Sequence, residues 1–137
     1  MSSIARVRSP HVAEAPEGLW SNCLVVDGIA YLSGMTARDR NLKAVDGLDE
    51  YEQSRIIFTK LVNLVAAAGG VASDIVKLTV FVTDIRQREL VWKARQEFFT
   101  GDFPACSLVQ VAALAEPAIK VEIEGVAHIG ASARKPS

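Results

Sequence analysis

The chain has 137 residues, 50% of them hydrophobic, with 15 Lys+Arg against 16 Asp+Glu and a formal charge of -1 at pH 7. That length suits one domain, 1–137, with a real core, yet it is short enough that a cleft can need a second subunit to close it. The near-neutral balance offers no electrostatic footprint for nucleic acid or an anionic membrane surface, so a small molecule or a protein is the expected partner.

The N-terminal stretch 1–8 lacks the continuous apolar centre of a signal peptide, and no segment approaches the roughly 18 apolar residues of a membrane span. A cytoplasmic protein is expected. Apolar runs at 22–26 and 29–33 flank Asp27-Gly28, a dipeptide that accepts the positive φ values of a tight hairpin turn, and so predict two antiparallel strands. The polar, glycine-punctuated stretch 34–47, with Arg38, Asp39, Arg40, Asn41 and Lys43, reads as an exposed loop able to rim a pocket.

From Asp49 the period changes. Asp49 and Glu52 have capping-box spacing, and Phe58, Leu61, Val62 and Val65 recur on one face until Gly69-Gly70, which predicts a helix of about five turns. Val76, Leu78, Val80 and Val82 then alternate with Lys77, Thr79, Phe81 and Thr83, the period-two pattern of a strand with one fully apolar face. Asp84 closes that strand and can cap the next helix. The stretch 86–100 predicts this second helix, with Leu90, Ala94 and Phe98 on a stripe for the core and Trp92 and Phe99 on another, near Arg95, for a partner or a cleft. Strands come next at 107–114 and 119–128; in the last, Ile119, Val121 and Ile123 oppose Lys120, Glu122 and Glu124. The tail 131–137 has nothing to bury and is expected to fray.

Strands interleaved with two helices predict an α+β fold with both helices on one face of the sheet. The other face, carrying Phe81 and Val126 among polar groups, would be left bare, and self-association into a cyclic homo-oligomer is the economical way to cover it.

Glu122 is the best general acid/base candidate, because it sits mid-strand between Val121 and Ile123, where partial burial would raise its pKa. The alternative is that Glu122 and Glu124 both line a solvated face and pair with lysines. Cys106 follows a Pro-Ala step at a strand entrance on a segment taken to neighbour the Glu122 strand, and either projects into a cleft or packs as a small buried thiol. Cys23 and Cys106 lack metal-ligand spacing, which leaves them as free thiols. His11 and His128 show no motif linking them to Cys106. Trp20 and Trp92 are π-faces for a planar ligand or interface packing, and Ser33-Gly34 ends a strand where backbone groups can meet a ligand. No Walker loop, dinucleotide glycine fingerprint, HExxH or paired CxxC is present, so no motif supports a nucleotide, dinucleotide or zinc site.

Tyr31-Leu32-Ser33-Gly34, Ala67-Ala68-Gly69 with residues 74–84, Phe103-Pro104-Ala105 and residues 121–127 together resemble the Rid (YjgF-type) family of enamine/imine deaminases over about 20–128. The resemblance implies a chorismate-mutase-like (ferredoxin-like) subunit with a mixed sheet, assembled as a homotrimer with active sites in clefts between subunits. It implies hydrolysis of a reactive enamine or imine to a keto compound and ammonia without metal or organic cofactor. It also implies that Glu122 positions water, with Trp20, Ser33, Gly34, Trp92 and the residue at 106 binding substrate. The departure is Cys106, where deaminase-competent members carry an arginine whose fork holds the substrate carboxylate. Such bonds contribute about 1.5 to 3 kcal/mol each, so their loss should weaken carboxylate binding at least about tenfold to a hundredfold. Trp92 and Trp20, in place of smaller polar and tyrosine side chains, imply a bulkier pocket. Two readings are open: a Rid-type hydrolase in which Arg38 or Arg95 replaces the missing cation, or a non-catalytic trimer of the same fold that binds an apolar metabolite or a protein.

Overall fold

A computed structural model describes residues 3–134. Asp27 and Gly28 take φ values of 51° and 76°, and this primed turn joins β2 (Cys23–Val26) to β3 (Ile29–Met35) as an antiparallel hairpin. A short strand that the sequence pattern does not reveal, β1 (Ala5–Arg6), pairs with β2 and brings the N-terminal segment onto the sheet.

Helix α1 (Glu50–Ala67) starts at the expected capping box: the Glu52 amide donates to Asp49 Oδ1 at 2.8 Å and the Asp49 amide to Glu52 Oε1 at 3.2 Å. Its inner face buries Ile57, Phe58, Leu61 and Leu64 completely, each worth about 1.5–3 kcal/mol of apolar transfer. Strand β4 (Ile75–Val82) buries Leu78, Val80 and Val82 as its alternation requires, but Val76 is exposed. A register shift against β6 (Val121–His128) between Ile75 and Lys77 gives the inward position to Ile75 instead.

The second helix is shorter than predicted. A 3₁₀ turn (Ile85–Gln87), capped by Asp84, leads into α2 (Arg88–Arg95), and the chain leaves helical geometry before Phe99. Trp92 and Phe99 therefore do not share a stripe: Trp92 faces outward, whereas Phe99 turns into the core and meets the Phe58 ring edge-on at 5.7 Å. Strand β5 is Ala105–Gln110, earlier and shorter than 107–114, because the chain turns off the sheet once the Val111 amide has bonded the Val82 carbonyl.

The strands run in the order β1-β2-β3-β6-β4-β5, antiparallel except for the parallel pair β4·β5. Residues of both helices join one core cluster with Leu78, Val80, Val121 and Ile123, so α1 and α2 cover a single face of this mixed α+β, chorismate-mutase-like sheet. Tyr31, Phe81, Val109, Val126, Glu122 and Glu124 lie on the face the helices leave bare. The start of the tail does not fray: Ala131–Ala133 form a 3₁₀ turn held to the body by the Ser132 amide, which donates to Asp74 Oδ1 at 2.9 Å. Residues 135–137 lie outside the described part.

Candidate functional site

A cavity of about 320 Å³ opens at the end of β3, walled by Trp20, Gly34, Thr36, Arg38, Lys60 and Glu122, among others. Its geometry begins with a bulge. Leu32 pairs with Gly125 and Met35 with Ile123, so β3 holds one residue more than its partner. The extra residue keeps both Leu32 and Met35 pointing inward and brings the Gly34 backbone against the next outward side chain of β6, which is Glu122. A Cβ on Gly34 would collide with the Glu122 carboxylate, reaching within 2.9 Å of its Cδ. Only a glycine leaves the carboxylate this position.

Ser33 serves the wall rather than the cavity. Its hydroxyl donates to the Ser21 carbonyl at 2.5 Å and its amide to the Asn22 carbonyl at 2.9 Å, while Asn22 Nδ2 donates to the Ala13 carbonyl at 2.9 Å. These bonds fasten the segment that carries Trp20 alongside Gly34. On the opposite wall the buried Gln53 donates to the carbonyls of Leu48 and Ala118 and accepts from the Lys120 amide, fixing the loop after β5 against α1. That loop contributes Ala115 to the cavity and Glu116 beside it.

Glu122 is half-buried, and no described residue donates a hydrogen bond to its carboxylate. Burial, reinforced by the Glu124 carboxylate, pushes its pKa above the ordinary value, with Arg38 pulling the other way. Glu124 is exposed, so the two glutamates have different surroundings although they share a face. Arg38 Nη1 donates to Glu116 Oε2 at 2.6 Å and to the Leu42 carbonyl at 2.9 Å. Lys60 Nζ donates to the carbonyls of Thr36 at 2.7 Å and Arg38 at 2.8 Å.

The structure brings together Glu122, Gly34 and Trp20 and, of the cations considered, Arg38. It does not bring Cys106 or Trp92 to them within one subunit. Strand β4 lies between β5 and β6, so the expectation that the Cys106 and Glu122 segments are neighbours is corrected. Cys106 also registers with the buried Leu78 and packs against the core on the helix side, whereas Glu122 registers with Phe81 on the bare face. Parallel pairing sets that parity. Trp92 lies outward on α2 with the Arg88 guanidinium 5.8 Å from its ring centroid, and Arg95 lies at the end of α2, outside this cavity.

Sequence reasoning misses Lys60. The signal is there: it stands three residues after Ile57 and four before Leu64, inside the apolar stripe of α1, where a lysine has to reach a polar destination. Among the described residues no group of three or more His, Cys, Asp or Glu could hold a metal ion, and no helix is long and apolar enough to cross a membrane.

A family model described as Endoribonuclease L-PSP matches residues 11–129. A solved structure of a Pseudomonas aeruginosa protein of unknown function is 36% identical, covers 95% of each chain and superposes with a TM-score of 0.87. YyfA of Yersinia pestis, described as a member of the conserved Rid protein family, is 28% identical over 93% of this chain and 100% of its own, with a TM-score of 0.83. RidA from an Antarctic Psychrobacter is 28% identical over 91% and 99%, with a TM-score of 0.81. With the bulged Ser33-Gly34 step and the Glu122 strand in place, the chain belongs to the Endoribonuclease L-PSP family, which takes in the Rid (YjgF-type) proteins.

Proposed function

We propose that this protein hydrolyses a reactive enamine or imine to a keto compound and ammonia, with Glu122 as the acid/base. The observation that carries the reading is the half-buried Glu122 carboxylate, free of hydrogen bonds from the described chain and pushed up in pKa, facing a cavity beside a residue without a side chain. A carboxyl whose pKa is raised in this direction is a better proton-donor partner for a weakly basic substrate than an exposed one, because its two protonation states lie closer in free energy at the working pH. Protonated, it delivers a proton to the enamine carbon, leaving an iminium ion beside the ionised Glu122. Ionised, it takes a proton from water as that water's oxygen bonds to the iminium carbon; it then returns a proton to the carbinolamine nitrogen and accepts the hydroxyl proton as the carbonyl forms, the C–N bond breaks and ammonia leaves. Trp20 supplies an apolar wall for the substrate.

The working unit in this reading is a homotrimer assembled through the bare sheet face, as the half-exposed Tyr31 and Val109 support. A place for Cys106 and Trp92 in that cleft requires the edge strand β5 and helix α2 of an adjoining subunit to reach it, since both residues lie on the helix side of their own sheet. The test is ammonia release from a panel of freshly generated enamines. Glu122→Gln should lower turnover by about a hundredfold or more, in line with loss of a general acid/base, and Cys106→Arg should raise turnover of substrates bearing a carboxylate. No turnover by the unsubstituted protein above the Glu122→Gln level would remove the enzymatic claim and leave a ligand-binding trimer.

A further inference from the structure

Lys60 is a cation that the proposed hydrolysis leaves unused. Its ammonium is held by the Thr36 and Arg38 carbonyls, which occupy two of its three donors, and no described carboxylate lies within ion-pair distance of it. Arg38 stands beside it on the same wall. Arg38 Nη1 is taken up by Leu42 and Glu116, while its Nε and Nη2 make no hydrogen bond to a described residue. Thus two adjacent cations face a cavity whose only lining carboxylate among the described residues is Glu122. Of the pair, Arg38 forms an ion pair with Glu116, whereas Lys60 forms none with a described acid and feels Asp39 only from beyond ion-pair distance.

We propose that Lys60, seconded by Arg38, forms an anion-holding end of this cavity and fixes the carboxylate of a small 2-oxo or 2-imino acid in a chain whose residue 106 is a cysteine. The substrate class rests on the hydrolase reading; the anion site itself does not. Four open N–H donors, one on Lys60 and three on Arg38, suffice for the two oxygens of a carboxylate. The charged groups around Lys60 are Arg38 and Asp39 on the loop after β3, Glu122 on β6, and Glu116 acting through Arg38, with His11 and Arg40 lining a hollow on its other side. Burial first, and then Arg38, lower the Lys60 pKa to about 8, with Asp39 opposing. An arriving anion offsets both causes. It also raises Glu122 further, toward the protonated form that donates to an enamine.

The Glu122→Gln protein, which removes the Glu122 titration, is titrated calorimetrically with pyruvate at about pH 6.5 and about pH 9.5, on either side of the Lys60 transition. Affinity should fall about tenfold or more at the higher pH, as the ammonium is lost. Lys60→Met should bind about tenfold or more weakly at the lower pH, while Lys60→Arg should stay within about threefold of the parent. The pH series needs no Lys60 variant and so does not depend on how well one folds. An unchanged affinity in Lys60→Met, a flat pH profile, or no binding of pyruvate at about 10 mM overturns the assignment. Pyruvate held through Lys60 without ammonia release in the unsubstituted protein would remove the hydrolase and keep the anion site; ammonia release indifferent to Lys60→Met would do the reverse.

Discussion

Glu122 and Gly34 form one unit although they lie far apart in sequence. The carboxylate occupies space that any Cβ at position 34 would claim, and the far end of a glutamate is flexible enough to move away. Gly34→Ala is therefore expected to change stability by less than about 1 kcal/mol, since Gly34 does not take a positive φ, while displacing the carboxylate and lowering ammonia release by about tenfold or more. Thermal unfolding and steady-state kinetics on the same preparation check both halves. Glu122 is readable in the sequence from its place between Val121 and Ile123. Lys60 is hidden because a helical stripe is recognised by its apolar members, and a single lysine interrupting it forms no motif. Cys106 is visible as a departure from the family pattern, but its face is not, since a strand's parity is set by the partner it registers with. Cys23 is wholly buried, and burial pushes its thiol up to about 11, which keeps it a neutral thiol within the core.

At the scale of elements, local signals hold where they are self-contained. Asp27-Gly28 makes the hairpin and Asp49/Glu52 cap α1, because each motif satisfies its own backbone groups. They fail where an element ends against a neighbour. Strand β4 slips by one residue at its start, α2 stops before Phe99, and β5 leaves the sheet at Gln110. Asp74, which precedes β4, shows how such ends are secured. Its buried carboxylate accepts from the Val71, Gly130 and Ser132 amides and so ties the start of β4 to the C-terminal turn. Burial alone would raise its pKa, but the bonds from Ser132, Gly130 and Val71 outweigh it and bring the value down to about 2. A depressed carboxyl contributes stability that is present above its unfolded value and lost as pH falls toward the folded one. Between about pH 4 and pH 2 the unsubstituted protein should lose this contribution, whereas Asp74→Ala, already less stable by about 3 kcal/mol at neutral pH, should show a shallower acid dependence. Urea unfolding across that pH range checks the sign.

For the molecule as a whole, the decisive feature is a sheet with helices on one face only. Tyr31 and Val109 remain 49% and 44% exposed on the other, at opposite sides of the strand that carries Glu122, with Phe81 and Val126 between them. Surface of this kind on a small domain favours self-association. Light scattering after size exclusion should give a trimer, and the double variant Tyr31→Glu, Val109→Glu should shift it to a monomer with its fold retained by circular dichroism. A monomer at micromolar concentration without any substitution would contradict the assembly and, with it, the placing of Cys106 and Trp92 in a shared cleft.

The sequence by itself determined the α+β composition, the hairpin, the first helix with its cap, the family and the acidic residue of interest, because periodicity, turn chemistry and short motifs are written in neighbouring residues. The tertiary structure decided the strand order, which separates Cys106 from Glu122 and puts them on opposite faces. It also decided the bulge that fits Gly34 to the carboxylate and the meeting of Lys60 with Arg38 at one cavity wall. These depend on pairings between residues distant in the chain, and no local pattern encodes which strand lies beside which or where a register slips.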